Sequence, residues 1–236
     1  MDKICLLFFI ILSTASVYSQ DAGQQRQTDA AALEYMNVAG NQAAIFNAPL
    51  HEGNMRASNH PYMIDERFAK ARLSYNNVVY PEAMLRYDMF RNELTIQSPE
   101  LRAFVLFPEN VDYAELHGRR IIYFRRDSLP GCPPTGYYVL LHSGDRKVLQ
   151  RQSASIMHDT RATSMNRYYV FSTHYFLYKD GSYHAIRNKR GLLNALHPYK
   201  KELNRFISSN RWRFNRDAET LIVQTIIQYE KISEMR

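Results

Sequence analysis

The first apolar run of the chain is short and lies close to its amino end. Residues 4–12 are almost wholly apolar, follow a charged start, and precede small residues at Val17 and Ser19. A membrane-spanning helix needs about 20 apolar residues, so this run is too short to be one. A charged start, a short apolar run and a small-residue cleavage site together predict a secretory signal peptide over residues 1–19.

From about Leu73 onward, apolar and polar residues alternate as they do in strands with one buried face. The alternation predicts a hairpin made of residues 83–90 and 93–97 around a tight turn, with Leu85 and Tyr87 buried and Arg86 and Asp88 facing water. Further strands are predicted at residues 101–107, 119–126, 137–142, 147–152, 167–178 and 182–187. The polar stretch 152–166 is interpreted as a long loop, and Asp-Gly at 180–181 as the turn of the last hairpin.

After Asn188 the apolar period becomes helical. Leucines at 192, 193 and 196 share one stripe, Pro198 favours a break, and Asp217 can cap a final helix with apolar residues at three-and-four spacing. We therefore predict a mainly β (α+β) fold. It would be a single antiparallel sheet, a sandwich or a partly open barrel of about eight to ten short strands, closed by C-terminal helices.

The pattern divides the chain into five segments. After the signal peptide, residues 20–38 form a polar segment, predicted to be disordered over 20–27 and able to form a short helix over 29–38. Residues 39–72 are rich in Asn and Ala and are interpreted as an irregular segment that lies across another part of the protein. Residues 73–187 form the antiparallel β domain, and residues 188–236 form helices packed on the sheet.

Tyrosine is unusually frequent, with 17 Tyr and 12 Phe against 1 Trp. Tyrosine suits half-buried sheet surfaces, so the excess indicates β structure; a sugar-stacking or partner-binding surface is the alternative. Removal of the signal peptide leaves a single cysteine, Cys132, which excludes an internal disulfide. Cys132 lies in a Gly- and Pro-rich loop sequence with no base nearby, so it is not predicted to be a nucleophile.

The net charge is +7. Outside the cytoplasm the acidic partners are phospholipid, lipopolysaccharide, acidic glycans and acidic protein faces, so nucleic acid is not expected. Basic residues bracket the strand at 119–126 and crowd the helical region beside an aromatic residue. They are typical of a solvated basic face, and the alternative is a partner-docking surface made of Arg119, Arg120, Arg125, Arg126, Arg211, Trp212 and Arg213.

Motifs that carry chemistry are missing from the sequence. It has no Gly-rich phosphate loop, no nucleophile elbow and no His-Glu-x-x-His. The register of the last hairpin places His174 and His184 on opposite faces, which argues against a shared metal. The remaining candidates have no defined geometry; they are His142 with Asp145, His158 with Asp159, and the acids Asp88, Glu93 and Glu115. No catalytic, cofactor-binding or metal-ligating residue is therefore predicted, and no cofactor.

Several short segments occur in an order similar to that of a known group of proteins. They are Asn41–Asn47, Asn59–Tyr62, Val79-Tyr80, Met84–Asp88, Asn92–Leu94, Gly136–Leu141, Lys201–Leu203 and Phe206-Ile207. Over about residues 35–232 the chain resembles a group of uncharacterised exported proteins of Bacteroidota. The resemblance implies a periplasmic or outer-membrane-associated β-rich protein with no established reaction. One departure is Asn47-Ala48, which stands where that group leads us to expect a glycine turn.

Three functions remain open from the sequence. The first is a non-catalytic binding or accessory module of the cell envelope, whose partner would be an outer-membrane protein complex or an anionic envelope component. The second is a periplasmic carrier that holds an apolar or glycan ligand between the sheet and the helices. The third is a hydrolase of envelope polymers, which would need an acid or histidine cleft.

Overall fold

The computed structural model describes residues 23–159 and 166–234. These residues form ten strands and four helices. The strands are β1 (Ala69–Tyr75), β2 (Val78–Asp88), β3 (Glu93–Gln97), β4 (Ala103–Val105), β5 (Val111–Leu116), β6 (Arg119–Phe124), β7 (Gly136–His142), β8 (Lys147–Asp159), β9 (Asn166–Lys179) and β10 (Ser182–Ile186). The helices are α1 (23–39), α2 (Lys189–Ala195), α3 (Lys200–Ser209) and α4 (Phe214–Glu234). The predicted signal peptide lies outside the described residues.

All ten strands belong to one antiparallel sheet, in the order β10-β9-β8-β7-β6-β5-β1-β2-β3-β4. From β5 to β10, each strand pairs with the next one along the chain. On its other side β5 pairs with β1, and β2, β3 and β4 follow in order. The predicted fold class is confirmed as a single open sheet, and the helices that follow the last strand are confirmed as well. None of the helices in the described ranges is both long and apolar enough to cross a membrane.

Hairpin turns of the sheet place non-glycine residues in the left-handed region of backbone space. Asn76 and Asn77, with φ of 53° and 60°, join β1 to β2, and Asp180 at 50° precedes Gly181 between β9 and β10. Asparagine, aspartate and glycine adopt this conformation at least cost, so these turns fix the strand register. The β9–β10 register pairs Ser182 with Lys179, as the sequence predicts.

The β8–β9 hairpin is much longer than the sequence indicates. The predicted loop at 152–166 is wrong, because β8 continues to Asp159 and β9 starts at Asn166; residues 160–165 lie outside the described part of the chain. Ser153 and Ser155 alternate with less polar residues along β8, and Ser153 Oγ lies 2.8 Å from Ser172 Oγ across the hairpin. In the sequence, a half-exposed strand that carries polar side chains resembles a loop.

The apolar side chains form two cores. One lies on the first seven strands and includes Ile45 and Phe46 from the segment before β1. The other lies between the last strands and the helices and includes Leu177, Leu192 and Leu221. Residues 171–174 of β9 belong to neither core and are exposed, and the site described below lies there.

Asp88 does not face water as predicted, since its side chain is buried. Its Oδ1 accepts hydrogen bonds of 2.9 Å from the main-chain N–H groups of Phe90 and Arg91. Its Oδ2 accepts a hydrogen bond from the Asn54 amide. The carboxylate therefore organises the turn after β2 and ties the irregular segment to it, a structural use of a buried acid.

The N-terminal helix α1 is longer than predicted, and the prediction of disorder is wrong for residues 23–27, which are helical. Gln and Arg, which fill this stretch, are good helix formers. Further along α1, the Asp29 carboxylate accepts two hydrogen bonds of 2.9 Å from the Arg72 guanidinium on β1. This bidentate pair anchors the helix to the sheet.

The irregular segment before β1 runs along the sheet and makes main-chain hydrogen bonds to it. Pro49 O accepts from Val105 N (2.8 Å) and His51 N donates to Ala103 O (2.9 Å), so residues 49–51 cover the outer edge of β4. Further along, Ser58 N donates to Arg167 O (2.8 Å) on β9. The segment thus joins one edge of the sheet to the far end of the β8–β9 hairpin.

Candidate partner-binding edge

The edge of β9 is only partly covered. β9 has 14 residues, whereas its outer neighbour β10 has five and pairs only with residues 175–179. The Asn59 side chain covers Tyr169 by donating to its carbonyl (2.9 Å) and accepting from its N–H (2.6 Å). Between these two covers, residues 170–174 form an uncovered stretch, which we call the β9 gap.

The direction of the main-chain groups in the β9 gap follows from their neighbours. Tyr169 bonds to Asn59 on the side away from β8, and Tyr175 pairs with Ile186 on that same side. Main-chain groups alternate sides along an antiparallel strand, so the N–H and C=O of Phe171 and Thr173 also point away from β8. On that side, no described residue makes a hydrogen bond to either.

Two of the five residues of the β9 gap are apolar. Val170 is 42% exposed and Phe171 is 49% exposed, on opposite faces of the strand. Elsewhere the sheet edges meet other parts of the chain: residues 49–51 cover β4, and Pro130 O accepts from Tyr183 N (2.8 Å) on β10. Proteins normally cover an edge or place charges on it, because an uncovered apolar edge pairs with other chains. The β9 gap is therefore a candidate interaction site.

A groove runs beside the β9 gap, on the face of the sheet that carries Phe171, Thr173 and Tyr175. Its central part has a volume of about 630 Å³ and lies between β9 and the amino end of α4. Two neighbouring cavities that share Thr173 with it reach Met63 and Ile64 on one side and Arg187 beyond β10 on the other, and we include them in the groove. It is lined by Met63, Ile64, Arg119, Gln152, Phe171, Thr173, Tyr175, Arg187, Phe214, Arg216, Asp217 and Glu219.

The floor of the groove contains a connected polar network. Arg119 Nη1 donates to both carboxylate oxygens of Glu219 (3.2 and 3.0 Å) and to Gln150 Oε1 (3.3 Å). Gln150, which is buried, donates through Nε2 to Glu219 Oε2 (3.1 Å) and to the Tyr175 hydroxyl (3.4 Å). The network fixes α4 against β6 and β8. The floor of the groove is therefore polar, and its two charged groups, Arg119 and Glu219, are paired with each other.

Two further features mark the walls of the groove. Ile64 has a φ of 67°, a conformation that is rare for a β-branched residue, and it is 63% exposed. Strained backbone of this kind often occurs at binding sites. On the opposite wall, hydrogen bonding by Arg216 lowers the pKa of Asp217, so that carboxylate stays ionised and paired at neutral pH.

The structure separates the basic residues predicted to form one docking surface. Arg119 and Arg120 are consecutive on β6 and point to opposite faces; Arg120 stacks on Tyr113, with 4.1 Å from its guanidinium carbon to the ring centroid. Arg125 and Arg126 lie in the β6–β7 loop, roughly 20 Å from Arg119 along the extended strand.

The remaining predicted residues lie at the α3–α4 junction. Trp212 packs on Phe206 with ring centroids 5.5 Å apart, and Arg211 beside it is exposed. Arg213 N donates to Asp217 Oδ2 (3.0 Å). Arg213 thus directly precedes α4, and Arg119 bonds to Glu219 within that helix. Docking on any of these basic residues stays a prediction.

Other residues considered from the sequence take structural positions. His142 lies 3.0 Å from Glu230 on α4, and Arg146 reaches the same carboxylate at 3.9 Å, so this cluster holds α4 against β7. His174 is on β9 opposite Arg151, and His184 is on β10 opposite Leu177. Within the described ranges, no group of three His, Cys, Asp or Glu side chains is close enough to hold a metal ion.

Sequence reasoning missed Asn59, Phe171 and Thr173 as site residues. A signal was present, since the predicted strand at 167–178 is about twice as long as its predicted partner at 182–187. A long strand beside a short one leaves part of its edge unpaired. No family model matches the chain, no curated protein is similar to it, and no solved structure resembles it.

Proposed function

We propose that this protein is an exported, non-catalytic binding module that takes up an extended segment of a partner protein along the β9 gap. The observation that carries the proposal is the pair of outward-facing main-chain units at Phe171 and Thr173, which have no hydrogen-bond partner among residues 23–159 and 166–234. An added strand pairs its own main chain with such groups, and neighbouring pockets select its side chains.

The flanks of the β9 gap favour a thin, extended occupant. β10 ends on one side and Asn59 begins on the other, both in the position that the next strand of the sheet would take. The space between Tyr169 and Tyr175 is roughly 20 Å long, enough for about five extended residues. The edge of a second folded sheet would collide with both flanks, whereas a chain terminus or a loop can enter and leave between them.

The groove indicates which segment would fit. Alternate side chains of an added strand would face Phe171 and Thr173 on the groove side, where an apolar residue can pack against the Phe171 ring. Arg187 lies at one end of the groove, and the net charge of the chain is +7. These charges favour a neutral or acidic segment over a basic one.

The pairing of charges within the groove supports binding rather than catalysis. Arg119 is bonded to Glu219, and Arg216 is bonded to Asp217. A general acid or base needs a free, reachable group in hydrogen-bond contact with its substrate. A surface whose charges are already satisfied presents mainly its main chain and its apolar side chains to a partner.

The proposal is tested with a displayed library of random twelve-residue peptides selected on the purified chain. The affinity of one synthetic selected peptide is then measured for the wild type and for Thr173→Pro. Proline removes the outward N–H and places its ring where the added strand would lie, so we expect at least roughly ten-fold weaker binding. Folding should persist, because that N–H has no partner within the described chain.

A matched pair of variants distinguishes specific binding at the groove face from non-specific binding to exposed apolar side chains. Phe171→Ala removes the exposed ring on the groove face and should weaken binding by about ten-fold, or about 1.4 kcal/mol. Val170→Ala removes a similarly exposed side chain on the other face and should change affinity by less than about two-fold. Selected peptides that bind Thr173→Pro as tightly as the wild type would contradict the proposal.

The predicted signal peptide supports export to the periplasm or to the outer membrane of a Bacteroidota cell. The partner would then be a component of an outer-membrane protein complex that presents a flexible terminus or loop. Sequencing of the amino end of the protein from its own host tests the first step. A mature chain that starts near Gln20 is expected, and a chain that retains residues 1–19 in the cytoplasm would overturn it.

A further inference from the structure

One end of the groove lies where β10 stops pairing with β9. The last pair of the two strands is Ile186 with Tyr175, and the chain then leaves the sheet through Arg187. Arg187 lines this end of the groove together with residues 173–176 of β9 and with Phe214. A strand added in the β9 gap would therefore begin or end next to Arg187.

The guanidinium of Arg187 has no partner within the described ranges. The residue is exposed, and its side chain makes no ion pair or hydrogen bond with any of residues 23–159 and 166–234. None of the described residues that line this end of the groove is Asp or Glu. The other arginines that line the groove are paired, Arg119 with Glu219 and Arg216 with Asp217. A carboxylate that enters the groove would therefore meet its unsatisfied positive charge at Arg187.

The chain beyond Arg187 adds to this positive charge. Lys189 and Arg190 follow in the first turn of α2, which contains no acidic residue. Acidic residues stabilise the first turn of a helix and basic residues do not, so the local structure gives no reason for this choice. Neither residue makes an ion pair with a described residue. Three basic residues within four positions thus mark this end of the β9 gap.

The direction of the strands indicates which end of an added strand would lie here. All strand pairs of the sheet are antiparallel, and β10 runs toward the β9 gap. Antiparallel pairing is also slightly more stable per residue than parallel pairing. A segment that continues the path of β10 would enter beside Arg187 and leave beside Asn59. Its amino end, and not its carboxyl end, would then face the basic residues.

We infer that the partner segment runs antiparallel to β9 and carries an acidic residue just before the part that pairs, with its carboxylate bonded to Arg187. The inference rests on the proposed function, since it describes the occupant of the β9 gap. The register of β10 places Arg187 opposite His174, so the first residue of the segment that can pair lies opposite Thr173.

This geometry also restricts the kind of segment that binds. The acidic residue is expected one or two positions before the residue opposite Thr173. A free amino terminus at that point would bring a positive charge next to Arg187, Lys189 and Arg190, and would be repelled. The occupant is therefore a loop or a carboxy-terminal tail of the partner, with residues that precede the acid.

The direction is tested with a library peptide whose binding to the wild type is weakened by Thr173→Pro. A spin label is attached to the amino end of the peptide in one sample and to its carboxyl end in another, and the loss of amide NMR signals of the full chain is measured. The amino-terminal label should weaken the signals of Ile186 and Asn188 most strongly. The carboxy-terminal label should weaken those of Ser58 and Asn59, and the reverse pattern would overturn the inference.

A charge-reversal cycle tests the contact with Arg187. We expect such peptides to carry Asp or Glu at one of the two expected positions. Arg187→Glu should weaken binding by roughly ten-fold, and lysine in place of the peptide acid should weaken binding to the wild type by about the same factor. The lysine peptide with Arg187→Glu should regain the original affinity to within about three-fold.

A matched control accounts for the change in net charge. Arg205→Glu, at an exposed site on α3, makes the same change and should alter the affinity of the acidic peptide by less than about two-fold. The lysine peptide should not regain affinity for this variant.

The outcomes distinguish this inference from the proposed function. Peptides that are weakened by Thr173→Pro but carry no acid at either position, or that show no recovery in the charge-reversal cycle, would overturn the inference alone. If no selected peptide is weakened by Thr173→Pro, the proposed function and the inference are both wrong.

Discussion

Replacement of Asn59 by alanine tests the structural basis of the β9 gap. The Asn59 amide acts as a one-residue strand, with a hydrogen bond of 2.9 Å to Tyr169 O and one of 2.6 Å from Tyr169 N. Tyr169 is only 3% exposed, so both main-chain groups would lose their partner in a largely buried place. At about 1–3 kcal/mol for each of the two orphaned groups, we expect a loss of about 2–6 kcal/mol in the free energy of unfolding.

Urea unfolding followed by circular dichroism measures this loss, and amide exchange at Tyr169 shows where it arises. Asn59→Ala should speed exchange at Tyr169 before that of core amides such as Leu177, since only the far end of the hairpin is released. Asn204→Ala, an exposed site on α3, is the matched control and should change stability by less than about 0.5 kcal/mol. An equally small change for Asn59→Ala, with unaltered Tyr169 exchange, would refute this reasoning.

Two further predictions concern other contacts. Gly131→Ala should destabilise the protein more than Gly118→Ala, as measured by urea unfolding. Both glycines have a φ near +70°, but only at Gly131 would the new Cβ lie 2.0 Å from Tyr183 O. Hydrogen bonding by Arg72 lowers the pKa of Asp29 in the folded protein, so this carboxylate stabilises it above about pH 4 and loses that effect as pH falls through the lowered pKa. The stabilities of Asp29→Asn and the wild type should therefore differ at pH 7 and converge as the pH falls below the lowered pKa of Asp29.

Much of the fold follows from local signals in the sequence. The alternation around Leu85 and Tyr87 and the Asp180-Gly181 turn are properties of neighbouring residues, and the structure confirms the hairpins that they predict. The helical leucine spacing after Asn188 is equally local. Such patterns determine the elements because each element buries one face.

The errors arose where distant parts of the chain decide the outcome. Ser153 and Ser155 look like loop residues until β9 pairs with them, and Asp88 looks exposed until Asn54 and the turn after β2 enclose it. In these two cases a contact remote in sequence overrides the local pattern. Residues 23–27 are different, because their Gln and Arg residues are good helix formers and the error lay in interpreting a polar stretch as disordered.

The candidate site depends even more on remote contacts. Basic residues close in sequence, such as Arg119 and Arg120, are separated by the alternation of the strand. The β9 gap exists because β10 is short and because Asn59, more than a hundred residues away, reaches Tyr169. The excess length of β9 over β10 can be predicted from the sequence, but the cover supplied by Asn59 cannot.

Amide exchange within the β9 gap tests the central claim most directly. Exchange is measured by NMR with and without the selected peptide. Pairing with an added strand should slow exchange at Phe171 and Thr173, whose N–H groups face outward. It should leave Val170 and Ser172 unchanged, because these already face β8. Binding without protection of Phe171 and Thr173, or with equal protection of all four amides, would contradict the account.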